Sequence, residues 1–381
     1  MSDVRERMSA DFDALGQVRA RYAGSEGERE MLHVVQQRLD PRCTPRTEGF
    51  VAHVSPAFSV GMHALLLVLG GVLGFWTPSL GALCTALVTV SLLGEGTGRF
   101  ALLRWPFPSQ ASYNLVVRPP TAQQVHGTVI VAAPLDAPRW RAMDRRRWPS
   151  WRPMRLVFGA AMVVLTLNIL RMLGEDWGSR TLEIYVVALL VLASTVVFGA
   201  MMHRAGDGQE DASAPVVALE LVRRLHDFPV HNLQVMVVFA GCSRAYQGGM
   251  KAFLQLHRKT MADPCLVIAL EEPGSSPLHA AVSEGSLVVQ HHRATGPALV
   301  ERLGWAGVRL PMVDRGGATN ARAALLAGYR ALALVGGDDR PSMEDAEHAV
   351  DVLETLVRWY GEDLARLPLD REALALSLIH I

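Results

Sequence analysis

Two patterns of apolar residues divide this chain. One consists of short runs closed by polar turns: Ser112 to Arg118, Gly127 to Ala133, Leu233 to Ala240, Cys265 to Leu270, Ser286 to Gln290 and Ala331 to Val335. Runs that short and rich in Val, Ile and Leu read as buried strands. A looser alternation over Thr44 to Val54 reads as an outer strand. Between them, helical spacing predicts helices over Gly24 to Leu39, Pro215 to Leu225, Gly249 to His257, Pro297 to Leu303, Thr319 to Ala327 and Ser342 to Tyr360. In the first of these, Ser25 and Glu28 have the spacing of a capping box, and the segment reads as an ordinary surface helix. Helices alternating with strands predict an α/β fold, a mainly parallel mixed sheet flanked by helices.

The second pattern is longer. Phe58 to Trp76 has no charged side chain and, at about 1.5 Å per residue, covers roughly 28 Å, close to a bilayer core. Thr77-Pro78-Ser79 turns the chain, and Leu80 to Leu93 is apolar again. Leu156 to Leu170 and Ile184 to Met202 repeat the arrangement around a polar turn. Two adjacent helices apolar on every face would need a large protein around them, so each pair reads as a transmembrane hairpin. Asn168 is expected to bond to a neighbouring helix, and Cys84 to serve packing. Between Arg104 and Arg155 stand nine arginines against Asp136 and Asp144, with Trp140, Trp148 and Trp151 among them. Basic and aromatic residues beside an apolar stretch mark a membrane interface rather than a nucleic-acid patch, and the positive-inside rule turns the hydrophilic parts to the cytoplasm.

Composition changes this picture little. Half of the 381 residues are apolar, and Lys+Arg and Asp+Glu both number 37, so charge points to no polyanionic partner. Only Lys251 and Lys259 are lysine; with so much Ala, Gly and Val, a GC-rich genome accounts for the arginine bias. Cys43, Cys84, Cys242 and Cys265 make neither a zinc-ribbon spacing nor a disulfide framework. The first thirty residues lack the apolar stretch of a cleavable signal peptide. Ser377 to Ile381 resembles translated adaptor sequence and is set aside, so the native end is open.

The hydrophilic pieces, taken in order, resemble the co-catalytic zinc exopeptidases of peptidase family twenty-eight, the relatives of leucyl aminopeptidase, glutamate carboxypeptidase and transferrin receptor. The segments that carry the resemblance are GSEGERE, SYNLVVRPP with GTVIVAAPLDA, EDASAPVVALELVRRL, LQVMVVFAGCSRAYQGGMKAF, CLVIALEEPG and GATNARAALLAGYRALALVG. The resemblance implies two zinc ions held by His and carboxylates, and a Glu acting as general base. It places Pro134 at the first His ligand, with Asp136 remaining as that ligand's partner. Glu210 or Asp211 falls at the bridging Asp, Cys242 at the general base, Ser243 at the next ligand, Glu271 near a further Asp, and Asn320, beside Ala321, at the last His.

Neither His nor the Glu pair survives, so no catalytic or metal-binding residue is assigned and no cofactor is expected. Cys242 reads as a buried thiol without a base, and His291 and His292 as surface histidines. Asp136, Glu210, Asp211, Glu271 and Glu272 could gather around a hard cation, although exposed carboxylates at loop ends are the favoured reading. The expected organisation is an exopeptidase-like domain starting in 1–57, continuing in 104–155 and 206–370, with hairpins at 58–95 and 156–202 and a tail at 371–381. The whole reads as a multi-pass bacterial inner-membrane protein, non-catalytic, binding the lipid bilayer and a peptide or protein partner in the former cleft. An active zinc aminopeptidase with displaced ligands is the alternative; a transporter, with only His63, Asn168 and Glu183 as polar groups in its spans, is a weaker third.

Overall fold

The computed structural model describes residues 2–104, 109–121, 125–137, 152–174, 178–204, 212–285, 287–292, 295–337 and 339–366. In chain order the elements are α1 (Ser2–Gly16), α2 (Glu26–Arg38), β1 (Arg46–His53), α3 (Pro56–Gly74), α4 (Pro78–Thr97), β2 (Ser109–Val117) and β3 (Gly127–Pro134). There follow α5 (Arg152–Met172), α6 (Ser179–Arg204), α7 (Ser213–Asp227), β4 (Leu233–Ala240), α8 (Gly248–His257) and β5 (Cys265–Glu271). The rest are β6 (His279–Glu284), β7 (Gln290–His291), α9 (Thr295–Trp305), β8 (Met312–Arg315), α10 (Asn320–Leu326), β9 (Arg330–Val335) and α11 (Met343–Arg366).

Nine strands form one sheet in the order β1-β2-β4-β3-β5-β9-β6-β7, with β8 added on β6. The central strands β4, β3, β5 and β9 run parallel, and antiparallel strands finish both edges. Strand alternation sorts the core into two layers. Val129, Val131 and Ala133 face a cluster built with α1, α2, α7, α9 and α11, while Ile130 and Ala132 face one built with α8 and α10. Both faces of the central strands are therefore covered, which is why β3 and β5 are buried throughout and mostly apolar.

The sheet differs from expectation at one edge. The expected strand over Ser286 to Gln290 is largely absent among its described residues, 287–290: the strand is β6, and only Gln290 of that segment, with His291, joins the sheet. Val288 and Val289 are exposed, whereas in β6 it is Ala280, Ala281, Ser283 and Glu284 that are buried. Hydropathy favours the valines, but close packing against β9 and β8 selects small side chains.

Four helices, α3, α4, α5 and α6, are long and apolar enough to cross a membrane. They pack on one another around Leu67, Leu92, Val164, Tyr185 and Leu192, a cluster separate from the two sheet cores. Small residues let them approach: a Cβ on Gly81 would lie 2.5 Å from the Gly74 Cα. Asn168 lies 2.9 Å from the Tyr185 hydroxyl, which donates to the Gly71 carbonyl at 2.7 Å, so the expected inter-helix bond exists. Gly81→Val should push α3 and α4 apart and lower stability by about 3 kcal/mol, the upper range for overpacking. Thermal unfolding in detergent micelles measures this, and an unchanged midpoint would contradict the close α3–α4 contact.

Candidate functional site

The carboxyl ends of β3, β4 and β5 lie side by side, because Pro134 pairs with Ala240 and Ala132 with Ala269. In an open α/β sheet this edge is where ligands are held. The loop from Gly241 to Gln247 connects β4 to α8 across it. Asn114 of β2 ties both ends of this loop, accepting from the Gly241 N–H at 3.1 Å and donating to the Gly249 carbonyl at 2.9 Å. Gly241 cannot be replaced without disturbance, since a Cβ there would lie 2.3 Å from the Ser112 hydroxyl and 2.6 Å from the Tyr113 carbonyl. Cys242, Tyr246 and Gln247 hold left-handed φ angles of 47°, 61° and 54°, which non-glycine residues rarely adopt. Strain of this kind persists only where surrounding contacts enforce it.

Those contacts come from two buried carboxylates. Glu28 of α2 accepts the Cys242 N–H, the Gly24 N–H and the Ser112 hydroxyl. Asp136 accepts the Ser243 and Arg244 N–H groups, each at 2.8 Å. Three successive backbone N–H groups are thus aimed at carboxyl oxygens supplied by the chain itself. Burial raises both carboxyls above their usual range. For Asp136, burial and then the Glu28 charge push the group up to about 8, against the pull of the two N–H groups and the Arg244 guanidinium. Glu28 is raised by burial despite its three donors.

Glu28 was not foreseen as a site residue. Only half of the capping box forms: the Ser25 hydroxyl accepts the Glu28 N–H at 3.1 Å, but the Glu28 carboxylate turns away to Gly24 and Cys242. The available signal was the ERE tripeptide opening a helix that resembles the family's first; nothing local tells that its glutamate reaches a loop more than two hundred residues away.

Beyond Asp136 the site is organised by Arg244. Its guanidinium contacts Glu271 directly and lies 3.5 Å from Glu272, while Arg315 reaches Glu271 at 3.4 Å. Asp136, Glu271 and Glu272 are 3%, 4% and 8% exposed, so they are not the exposed loop-end carboxylates expected from sequence. They are buried because an internal cation and backbone donors satisfy them. Asn320 at the start of α10 closes the cluster: its amide donates to the Ser243 hydroxyl at 3.1 Å, and that hydroxyl donates to the Ala240 carbonyl. Pro134 stands in β3, paired with Ala240, with no donor atom to offer. Glu210 and Asp211 lie outside the described residues.

Cys242 is fully buried, and burial followed by the charges of Glu28 and Asp136 pushes its thiol far up, so it stays protonated. The expected burial of this thiol is observed. The histidine reading needs correction. His291 is exposed, but His292 is buried and lies 3.6 Å from Glu284, which also accepts the Thr319 N–H at 2.9 Å and hydroxyl at 2.6 Å. Burial alone would raise Glu284; His292 and the two Thr319 donors hold it below the usual range instead. This pair anchors Thr319, whose hydroxyl caps α10 and so positions Asn320. Histidine pairs formed across a fold leave no local signature.

Among the described residues, the donor set does not fit a two-zinc centre: no three His, Cys, Asp or Glu side chains converge in a way that could hold a metal ion. A guanidinium stands beside the carboxylates, and neither Pro134 nor the Asn320 carboxamide offers an imidazole.

Among solved structures, this one is similar to an aminopeptidase from Aneurinibacillus sp. strain AM-1, with 11% identity over 93% of each chain and a TM-score of 0.53. The fold is aminopeptidase-like. A glutaminyl cyclase from an Acidobacteriales bacterium follows at 10% identity, TM-score 0.48, over 95% of this chain and 94% of that one. BSAP, a zinc aminopeptidase from Bacillus subtilis, is similar at 12% identity, TM-score 0.46, over 94% of each. No sequence family and no curated protein matches the chain. At such identities the likeness speaks for the architecture, the central mostly parallel sheet and its helices, and not for the chemistry.

Proposed function

We propose that this chain is a multi-pass membrane protein whose α/β domain, of the zinc-exopeptidase fold, binds rather than hydrolyses. The observation that carries the non-catalytic reading is Arg244. Its guanidinium lies against Glu271 and Glu272, its backbone N–H binds Asp136, and a hydrolytic centre built on these carboxylates would need a metal ion in place of that guanidinium. A second cation within a few Å of a guanidinium would be repelled, and the buried thiol of Cys242 cannot replace an ionised general base. What this edge of the sheet retains is a tightly bonded rim, suited to receiving a peptide end or a partner protein.

The membrane reading rests on the helix bundle's reversed polarity. Leu69, Leu83, Leu87, Leu156, Val187 and Leu190 face outward, while His63, Ser91, Thr85, Asn168 and Glu95 are buried between helices. Water would select the opposite arrangement, and hydrocarbon selects this one. The sheet domain is assembled from 1–57, 104–155 and 206–370, with the hairpins inserted at 58–95 and 156–202. Its placement in the cytoplasm of a bacterial inner membrane follows from the arginine count; most of that basic segment, 138–151, lies outside the described residues.

The test is direct. The full chain, purified in neutral detergent and dialysed extensively, is expected to carry less than about a tenth of a zinc ion per chain and to leave aminoacyl-coumarins intact, because a structural or catalytic zinc site retains metal tightly. Two zinc ions per chain with hydrolysis would establish the active aminopeptidase instead. Protease shaving of sealed vesicles checks the orientation: the α/β domain should be digested only in inside-out vesicles.

A further inference from the structure

A cavity of about 710 Å³ opens where α4 ends, between α8 and α10. Its wall carries Arg99, Lys251 and Arg258, with Gln255 and Gln290 as further polar groups and Leu254 and Leu326 as apolar ones. Among the described residues, no aspartate or glutamate lines it. Arg99 follows the Gly98 cap of α4 directly, so the cavity adjoins the end of an apolar helix. Arg104 and Arg322 stand close enough to lower the Lys251 ammonium further after burial has done so, to about 8, with Glu95 as the opposing charge. Arg322 itself donates to the Gly96 carbonyl, which ties α10 to the end of α4 and fixes the cavity's shape.

Three cations converging on one concave space without a carboxylate constitute an anion site. The volume is that of a small-molecule pocket, and its mixed lining suits a polar head with a short apolar body. We propose that this cavity binds a phosphate ester, supplied by the headgroup of an anionic phospholipid at the membrane surface. The phosphate oxygens pair with Arg99, Lys251 and Arg258, and the glycerol end lies along Leu254 and Leu326. The lipid as source rests on the membrane reading of α3 to α6; the phosphate chemistry does not. Basic pockets beside the cytoplasmic ends of membrane helices select anionic headgroups in this way.

The experiment uses the full chain in neutral dodecyl maltoside micelles, with thermal unfolding as readout. The probes are dioctanoyl phosphatidylglycerol, dioctanoyl phosphatidylcholine and inorganic phosphate. Phosphatidylglycerol should raise the unfolding midpoint in a saturable, salt-sensitive manner, and phosphatidylcholine should not. Arg99 and Arg258 are exposed, so Arg99→Gln/Arg258→Gln should fold normally and weaken the apparent Kd by about tenfold or more; half-buried Lys251→Gln should act in the same direction. A response to phosphatidylglycerol alone assigns the lipid source, and an equal response to inorganic phosphate assigns a soluble phosphate; both support the anion site. Equal responses to the two lipids, no response to any probe, or an Arg99→Gln/Arg258→Gln variant that binds as the parent does would overturn it. Alkaline carbonate extraction separates the two readings. A chain released from membranes that still binds phosphate through these residues refutes only the membrane assignment, whereas a retained chain that binds no anion refutes only the pocket.

Discussion

Arg244→Met should lower the stability of the α/β domain by about 3–5 kcal/mol, the usual effect of removing one partner of a buried ion pair. The Arg244 side chain is mostly buried, and Glu271 and Glu272 are more so. Methionine fills much of the same volume, so the loss comes chiefly from carboxylates left without their cation rather than from a cavity. Arg315, at 3.4 Å from Glu271, compensates part of it. A further outcome distinguishes this cause from simple mispacking. The deficit should shrink in Arg244→Met/Glu271→Gln, giving a favourable coupling in a double-mutant cycle. Urea unfolding in micelles measures it. A midpoint in Arg244→Met equal to the parent's would remove the guanidinium from the centre of this site.

The second large effect concerns Asp136. Folded Asp136 keeps its proton up to about pH 8, whereas an ordinary aspartate releases it near 3.8. Across that window the folded state holds one proton more than the unfolded state. Its contribution to stability is therefore complete below the lower value and is lost as pH rises towards the upper one, with a slope approaching about 1.36 kcal/mol per pH unit. Asp136→Asn cannot titrate. Replacing one acceptor oxygen by an amide that faces the Arg244 N–H costs a roughly constant amount, but the slope between pH 5 and pH 8 should flatten by up to one proton's worth. The slope, not the absolute stability, is the readout. Parallel pH curves for parent and variant would mean that Asp136 is ionised throughout and that its two N–H donors outweigh burial and Glu28.

Both predictions depend on residues whose partners are remote in sequence. Asp136 was singled out only through the resemblance, as the remaining partner of a His ligand; its burial at the end of β3 is what the structure adds. That its oxygens would bind the Ser243 and Arg244 N–H groups was not legible, since the bond depends on β3 and β4 lying parallel in register. Arg244 itself passed unnoticed among thirty-five arginines whose number a GC-rich genome explains; only its place at the edge of β4 makes it exceptional. Glu28 and His292 were missed for the same reason, one taken as a helix cap and the other as a surface residue. Cys242 was expected to be buried and is, because it follows closely on an apolar strand that packs on both faces.

The sequence by itself determined the periodicities, and with them nearly every element: the apolar runs of β3, β4 and β5, the caps of α2 and α11, the stripes of α2, α7 and α11, and the four long apolar helices. These depend on side-chain alternation and helical spacing, which are local properties of the chain. Tertiary structure alone decided which charges meet. A carboxylate is buried only where donors or a cation from distant segments neutralise it, and that balance is struck between elements, not within them. The strand at β6 belongs with the charges: alanines and a buried Ser–Glu pair gain their strand conformation from the neighbours they fit against, and carry no local preference strong enough to announce it.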